Sequence, residues 1–194
     1  MTVKKVYLLF TDTGTILTKT IKLYTRTPYN HASISFDEAL IELYSFGRKN
    51  PRNPFIGGFV KENINEGLFK HANCAIYCLA VKEADYYKMK RYINKIESQK
   101  ENYRYNLIGL FAIILNIQLK RENAFFCSEF VASVLMQSDD IDLIMPISFI
   151  TPTDLQALDN INLVYRGRLK DYPKEATKQR SQNMIESPVD MVFM

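Results

Sequence analysis

The apolar residues of this chain change period along its length, and that limits the folds open to it. At 31–36 (HASISF) and again at 39–46 they alternate with polar residues, the period of a strand with one buried face. From 123 to 137 the period lengthens. Cys127, Phe130, Val131, Val134 and Leu135 follow the i, i+3, i+4, i+7, i+8 spacing of a helix with one apolar face. A chain that carries both periods has to build a sheet and helices to cover it. Further strands are expected at 4–11, 75–81 and 162–169. Further helices are expected at 15–24 behind a Thr15 cap, at 85–101, at 107–119, and at 151–158, where TPTDLQAL supplies its own cap. Asp37 and Glu38 stand between the two alternating stretches and read as the two-residue turn of a hairpin. Residues 47–66 hold three Gly, two Pro and four Asn and read as a long loop. The order of strands, then helices, then a strand predicts one α+β domain over residues 1–172, followed by a polar tail at 173–194.

Composition narrows the function classes. A net charge of +4 with scattered basic residues lacks the basic patch of a nucleic-acid binder, so no nucleic-acid partner is expected. The longest apolar run, LIGLFAIIL at 107–115, is far short of a membrane span, so no stable membrane insertion is expected. VYLLF near the N-terminus is too short for the core of a signal peptide, and TDTGT ends it. The three cysteines, Cys74, Cys78 and Cys127, are an odd number at uneven spacing, which is no disulfide framework. A reducing, cytoplasmic setting fits that usage. His71 and Cys74 in KHANC lack a second pair of metal ligands, so neither a metal nor a cofactor is expected.

Cys127 has two readings. It sits on the apolar face of its helix, as a core cysteine does. It also lies in or near the first helical turn if Asn123 is the cap, where unpaired N–H groups and the helix dipole favour a thiolate. A cysteine nucleophile needs a base, and the base needs a third group to orient it. His31 opens a strand after the TRTPYN turn and is the candidate base; a purely structural histidine at a strand end is the alternative. With a two-residue turn at Asp37-Glu38, Ser35 faces Leu40, Ser33 faces Glu42 and His31 faces Tyr44. Glu42 is then diagonal to His31 and can hold its ring. Tyr44 is the reserve for that role. A one-residue slip in register would turn Glu42 away.

The order of NHASISF, then LIEL, then a helix opening FFCSEFV resembles the circularly permuted papain-like proteins of the NlpC/P60 superfamily, in its YiiX-type and lecithin:retinol acyltransferase-like branches. In these families the histidine strand precedes the cysteine helix. The resemblance runs over roughly residues 5–170 and implies the permuted fold, with the cysteine-bearing helix packed against a small antiparallel sheet. It assigns His31 as the histidine, Glu42 as the polar residue of the following strand, and Cys127 as the cysteine of a CSE motif completed by Ser128 and Glu129. YRYNLIGL resembles a further family segment in which Tyr105 matches a tyrosine of the pocket or oxyanion region and Asn106 replaces an aspartate.

The activity implied is a thiol-dependent hydrolase acting through a thioester, an amidase or peptidase on small peptide or cell-wall-derived substrates. An acyltransferase or thioesterase that takes an acyl lipid, and a non-catalytic binding module, are the alternatives within the same fold. The apolar stretch 107–119 and PRNPFIGGF can each be core or surface, or can line a pocket for an acyl chain.

Overall fold

The computed structural model describes residues 2–12, 28–50, 53–106 and 123–173. The helices expected at 15–24 and 107–119, and the tail beyond residue 173, lie outside the described residues. The chain folds as α+β around a mostly antiparallel sheet. β1 (Val3–Asp12), β2 (His31–Ser35), β3 (Leu43–Asn50), β4 (Asn53–Lys61), β5 (Asn73–Lys82) and β8 (Ile161–Arg168) lie in the order β4-β3-β2-β1-β5-β8, and every recorded pairing among them is antiparallel. β6 (Arg104–Tyr105) and β7 (Ala124–Phe125) form a separate parallel ribbon. Three α-helices are described: α1 (Glu83–Ser98), α2 (Cys127–Leu135) and α3 (Pro152–Gln156). No described helix is long and apolar enough to cross a membrane.

β1 is continuously apolar from Val6 to Phe10 because both its faces are buried there. Val6, Leu8 and Phe10 point to one core with Ala32, Ile34, Phe46, Phe59 and the α2 residues Phe130, Val131 and Val134. Tyr7 and Leu9 point to a second core with Leu43, Cys74, Ile76, Cys78 and Leu169. Cys74, Ile76 and Cys78 therefore share one face of β5, as their alternation predicts. Burial pushes the Cys74 thiol up to about 12 and raises that of Cys78 as well. α2 is buried along its whole length, since it packs on β2 and β3 and also against α1 and α3. α3 begins as TPTDLQAL predicts: Thr151 Oγ1 accepts the Asp154 N–H at 3.3 Å and Asp154 accepts the Thr151 N–H at 2.8 Å.

Two expectations are corrected. Residues 47–66 are largely not a loop, because β3 and β4 pair as a hairpin through this stretch, with a register shift between Arg48 and Asn50. Its glycines serve close approach rather than a turn. A Cβ on Gly57 would lie 2.6 Å from the Gly47 carbonyl oxygen and 2.7 Å from Tyr105 Cβ, so only glycine lets β4 accept the Tyr105 ring there. The connection from β2 to β3 is also longer than two residues. Asp37 organises it, accepting the Ile41 N–H at 3.0 Å and the Glu42 N–H at 2.6 Å, and Leu40 takes a positive φ of 58°. β3 consequently starts at Leu43, and the ladder pairs Ser35 with Leu43 and Ile34 with Tyr44.

Gly57→Ala should cost about 1–3 kcal/mol of stability through overpacking against Tyr105 and the Gly47 carbonyl, measured by urea unfolding. An unchanged midpoint would show that β4 and the β6–β7 ribbon have room to separate.

Candidate active site

The longer β2–β3 connection decides which groups meet His31. The expected register sets Ser35 against Leu40; the observed one sets it against Leu43, an odd displacement that exchanges the faces of β3. Tyr44 turns into the helix-side core, stacked on Phe59 at 5.8 Å between ring centroids, and burial pushes its hydroxyl up to about 12. Glu42 falls in the connection itself, where its carboxylate accepts a hydrogen bond from Lys90 of α1 at 2.7 Å. Neither residue holds His31. Continuing the observed ladder sets Ser33 opposite Ser45 and His31 opposite Gly47. The position a Gly47 Cβ would take is 3.6 Å from His31 Cε1, as that pairing requires.

The carboxylate that holds His31 is Glu62, the residue directly after β4. Its backbone N–H donates to the Leu43 carbonyl at 2.8 Å, which pins it to the start of β3. Its Oε1 lies 2.7 Å from His31 Nε2, and both side chains are largely buried. The Ser33 hydroxyl donates to Glu62 Oε2 and the Ser45 hydroxyl to Oε1, each at 2.5 Å. Sequence reasoning missed Glu62 because it lies inside the stretch read as a loop. The available signal was the pair of serines at alternate positions of two apolar strands, since buried hydroxyls need a polar partner.

Cys127 lies near enough to His31 to act on the charge of its ring. The structure therefore brings together the two residues, 31 and 127, on which the sequence reading turned. Glu62 occupies Nε2, so a proton exchanged with the sulfur has to pass through Nδ1. Burial alone would push the imidazole down. The Glu62 carboxylate overrides it, assisted by Cys127 and by the hydrogen bond with Glu62, and raises the pKa from 6.5 to about 10. The ring is thus an imidazolium at neutral pH, with a proton on both nitrogens.

Cys127 is the first residue of α2, three positions closer to the helix end than a cap at Asn123 implies. Asn123 instead takes a positive φ of 53° ahead of β7, and the extended Phe126 precedes the helix as its N-cap. The first intrahelical bond runs from the Phe130 N–H to the Phe126 carbonyl at 3.0 Å, so the Cys127 amide belongs to the unpaired first turn. The other two CSE residues hold this helix start in place. Ser128 Oγ donates to the Ile150 carbonyl at 2.6 Å. Glu129 accepts the Phe126 N–H at 3.4 Å and bonds Asn106. Burial pushes the Glu129 carboxyl up to about 7, against the lowering effect of those two hydrogen bonds. Tyr105, next to Asn106, packs on Gly57 and joins the rim of the helix-side core with Tyr103 and Phe125. His71 ends a 3-10 turn at Gly67–His71 and is exposed.

These contacts set separate expectations for the two glutamates. Glu42→Ala should cost no more than about 1 kcal/mol, the worth of a half-exposed ion pair, and leave the His31 titration in place. Glu62→Ala should cost about 3 kcal/mol or more, because it breaks a buried ion pair and strands two serine hydroxyls. It should also move the His31 midpoint down toward or below 6.5, read by imidazole NMR.

The sign of the pH dependence follows from the raised histidine. Its contribution to stability is complete below about 6.5 and is lost as pH rises through about 10. Denaturant unfolding of the wild type should therefore show stability falling across that window, and Glu62→Ala should flatten the fall. A fall unchanged in the variant would remove Glu62 as its cause. In comparisons with known proteins, no protein-family model, no curated protein and no solved structure matches the chain.

Proposed function

We propose that this protein is a thiol-dependent hydrolase that cleaves an amide bond in a small peptide or amino-acid-like substrate. Cys127 is the nucleophile, His31 the acid and base, and Glu62, in the place first assigned to Glu42, the group that orients His31. The observation that carries this reading is the His31 ring, bonded at Nε2 to a buried carboxylate and close to a thiol at a helix start. A structural histidine needs one satisfied partner. This one has a buried carboxylate on one nitrogen and a nucleophile near its ring. We further propose the circularly permuted papain-like fold of the NlpC/P60 superfamily. Supporting it are the chain order, with the histidine strand ahead of the cysteine helix, and the packing of that helix on a mostly antiparallel sheet.

The reaction runs in two halves. The Cys127 thiolate attacks the amide carbonyl carbon, and the tetrahedral oxyanion forms beside the first turn of α2, where the Cys127 N–H is available to it. His31 gives its proton to the leaving nitrogen as the carbon–nitrogen bond breaks, which leaves a thioester and a neutral imidazole. That imidazole then takes a proton from water, whose oxygen attacks the thioester. The acid departs, and the thiolate–imidazolium pair is restored. Glu62 keeps the ring aimed in both halves. If an alcohol or amine of a second substrate replaces water, the same steps become acyl transfer, so the choice of acceptor separates hydrolase from acyltransferase.

The test combines labelling with turnover. Iodoacetamide should modify Cys127 in preference to Cys74 and Cys78, whose thiols burial holds in the protonated form. On a panel of peptide amides and acyl esters, Cys127→Ala should lower turnover by on the order of 10⁴-fold or more while the unfolding midpoint stays close to the wild type. Equal labelling of all three cysteines, together with turnover that survives in the Ala variant, would leave a binding module rather than an enzyme. Turnover of acyl esters with transfer to an added amine would favour the acyltransferase.

A further inference from the structure

Two hydroxyls stand behind the carboxylate that holds His31. Ser33 is the third residue of β2 and Ser45 the third of β3, and both are fully buried. The same face carries Leu9, Leu43, Cys74 and Ile76, together with the buried hydroxyls of Thr11 and of Ser35, the latter bonded to Asp37. Hydroxyls at such positions cost stability unless they are bonded. Here both donate to one acceptor, Ser33 to Glu62 Oε2 and Ser45 to Glu62 Oε1, and that same Oε1 also meets His31 Nε2. Glu62 stands just past the end of β4, and a glutamate has three side-chain torsions to fix. Its backbone bond to Leu43 holds the main chain and does not orient the carboxylate. Two donors from neighbouring strands, one on each oxygen, do.

We propose that Ser33 and Ser45 are positioning residues: their hydroxyls clamp the Glu62 carboxylate in the orientation that keeps His31 aimed at Cys127. This rests on the Cys127–His31 reading above and adds to it the source of the alignment. Among the described residues, few groups beside the imidazole could substitute. Thr11 of β1 is its cross-strand partner, Gly47 of β3 lies beside it, and the Phe69 ring is 6.1 Å away. Of the groups recorded as acting on it, only Glu62 and Cys127 titrate. With the clamp removed, the carboxylate gains freedom to turn from the ring, and its attraction for the imidazolium weakens with distance.

The experiment uses the full-length chain with Ser33→Ala, Ser45→Ala, the double variant, and Ser45→Thr, which keeps the hydroxyl. Two quantities are read: the His31 titration midpoint by imidazole NMR, and the rate of Cys127 alkylation by iodoacetamide as a function of pH. Each single Ala should lower the His31 midpoint, the double variant by about one pH unit or more, and Ser45→Thr should stay near the wild type. In a Glu62→Gln background the same Ser→Ala changes should leave the midpoint where Glu62→Gln alone puts it, because the serines act through the carboxylate. A purely structural serine pair would lower the unfolding midpoint without moving the titration, and a folded double variant that titrates like the wild type overturns the clamp. If the double variant does not fold, the single variants decide by the same criterion. Failure of the underlying reading is seen separately. An alkylation profile unmoved by His31→Ala overturns the Cys127–His31 pair, and with it the aim assigned to the clamp.

Discussion

The candidate site depends on satisfying one buried carboxylate. Glu62 is nearly sealed from solvent, and a carboxylate there is tolerated only with charge-assisted hydrogen bonds. It receives three, from His31, Ser33 and Ser45, which come from β2 and β3 while Glu62 itself follows β4. The carboxylate thus ties three consecutive strands of the sheet at one point. It also sets the protonation of His31, since burial by itself would favour the neutral ring and the ion pair reverses that preference. Glu62 is the larger of the two influences that favour the imidazolium, and Cys127 adds to it.

The second requirement is a rigid helix start. Cys127 lies at the first residue of α2, where the backbone has no partners of its own and would fray if left alone. Ser128 and Glu129 prevent this, one by bonding the segment that leads into α3 and the other by bonding the Phe126 amide and Asn106. The CSE triplet therefore combines one reactive side chain with two that hold its backbone. The apolar residues behind it, Phe130, Val131 and Val134, bury the rest of the helix against the sheet. In this way a cysteine on the apolar face of a helix also meets a histidine at the rim of the sheet. The core reading and the reactive reading describe different ends of the same face.

Much of this was legible from residue order. Alternation marked β2, short apolar stretches marked β5 and β8, the helical period marked α1 and α2, and the Thr151 cap marked α3, because those signals are local and the packing agreed with them. Errors arose where a local signal had two meanings. Glycine and proline at 47–66 suggested a loop, yet Gly57 is required by a ring packed on an edge strand, a contact with Tyr105 forty-eight positions away in sequence. Asp37-Glu38 resembled a two-residue turn, yet Asp37 bonds forward to Ile41 and Glu42 and widens the connection. That difference exchanges the faces of β3 and replaces one glutamate by another.

Taken alone, the sequence determined that strands with a buried face would be covered by an amphipathic helix, and it offered a cysteine near the start of that helix and a histidine opening a strand as candidate partners. Periodicity and chain order are properties of neighbouring residues and can be read without coordinates. Which carboxylate meets the histidine was decided only in three dimensions. Glu42 and Glu62 are both acidic residues beside a strand. The choice between them depends on strand register, and register is set by a turn whose hydrogen bonds form only when the chain has folded back on itself.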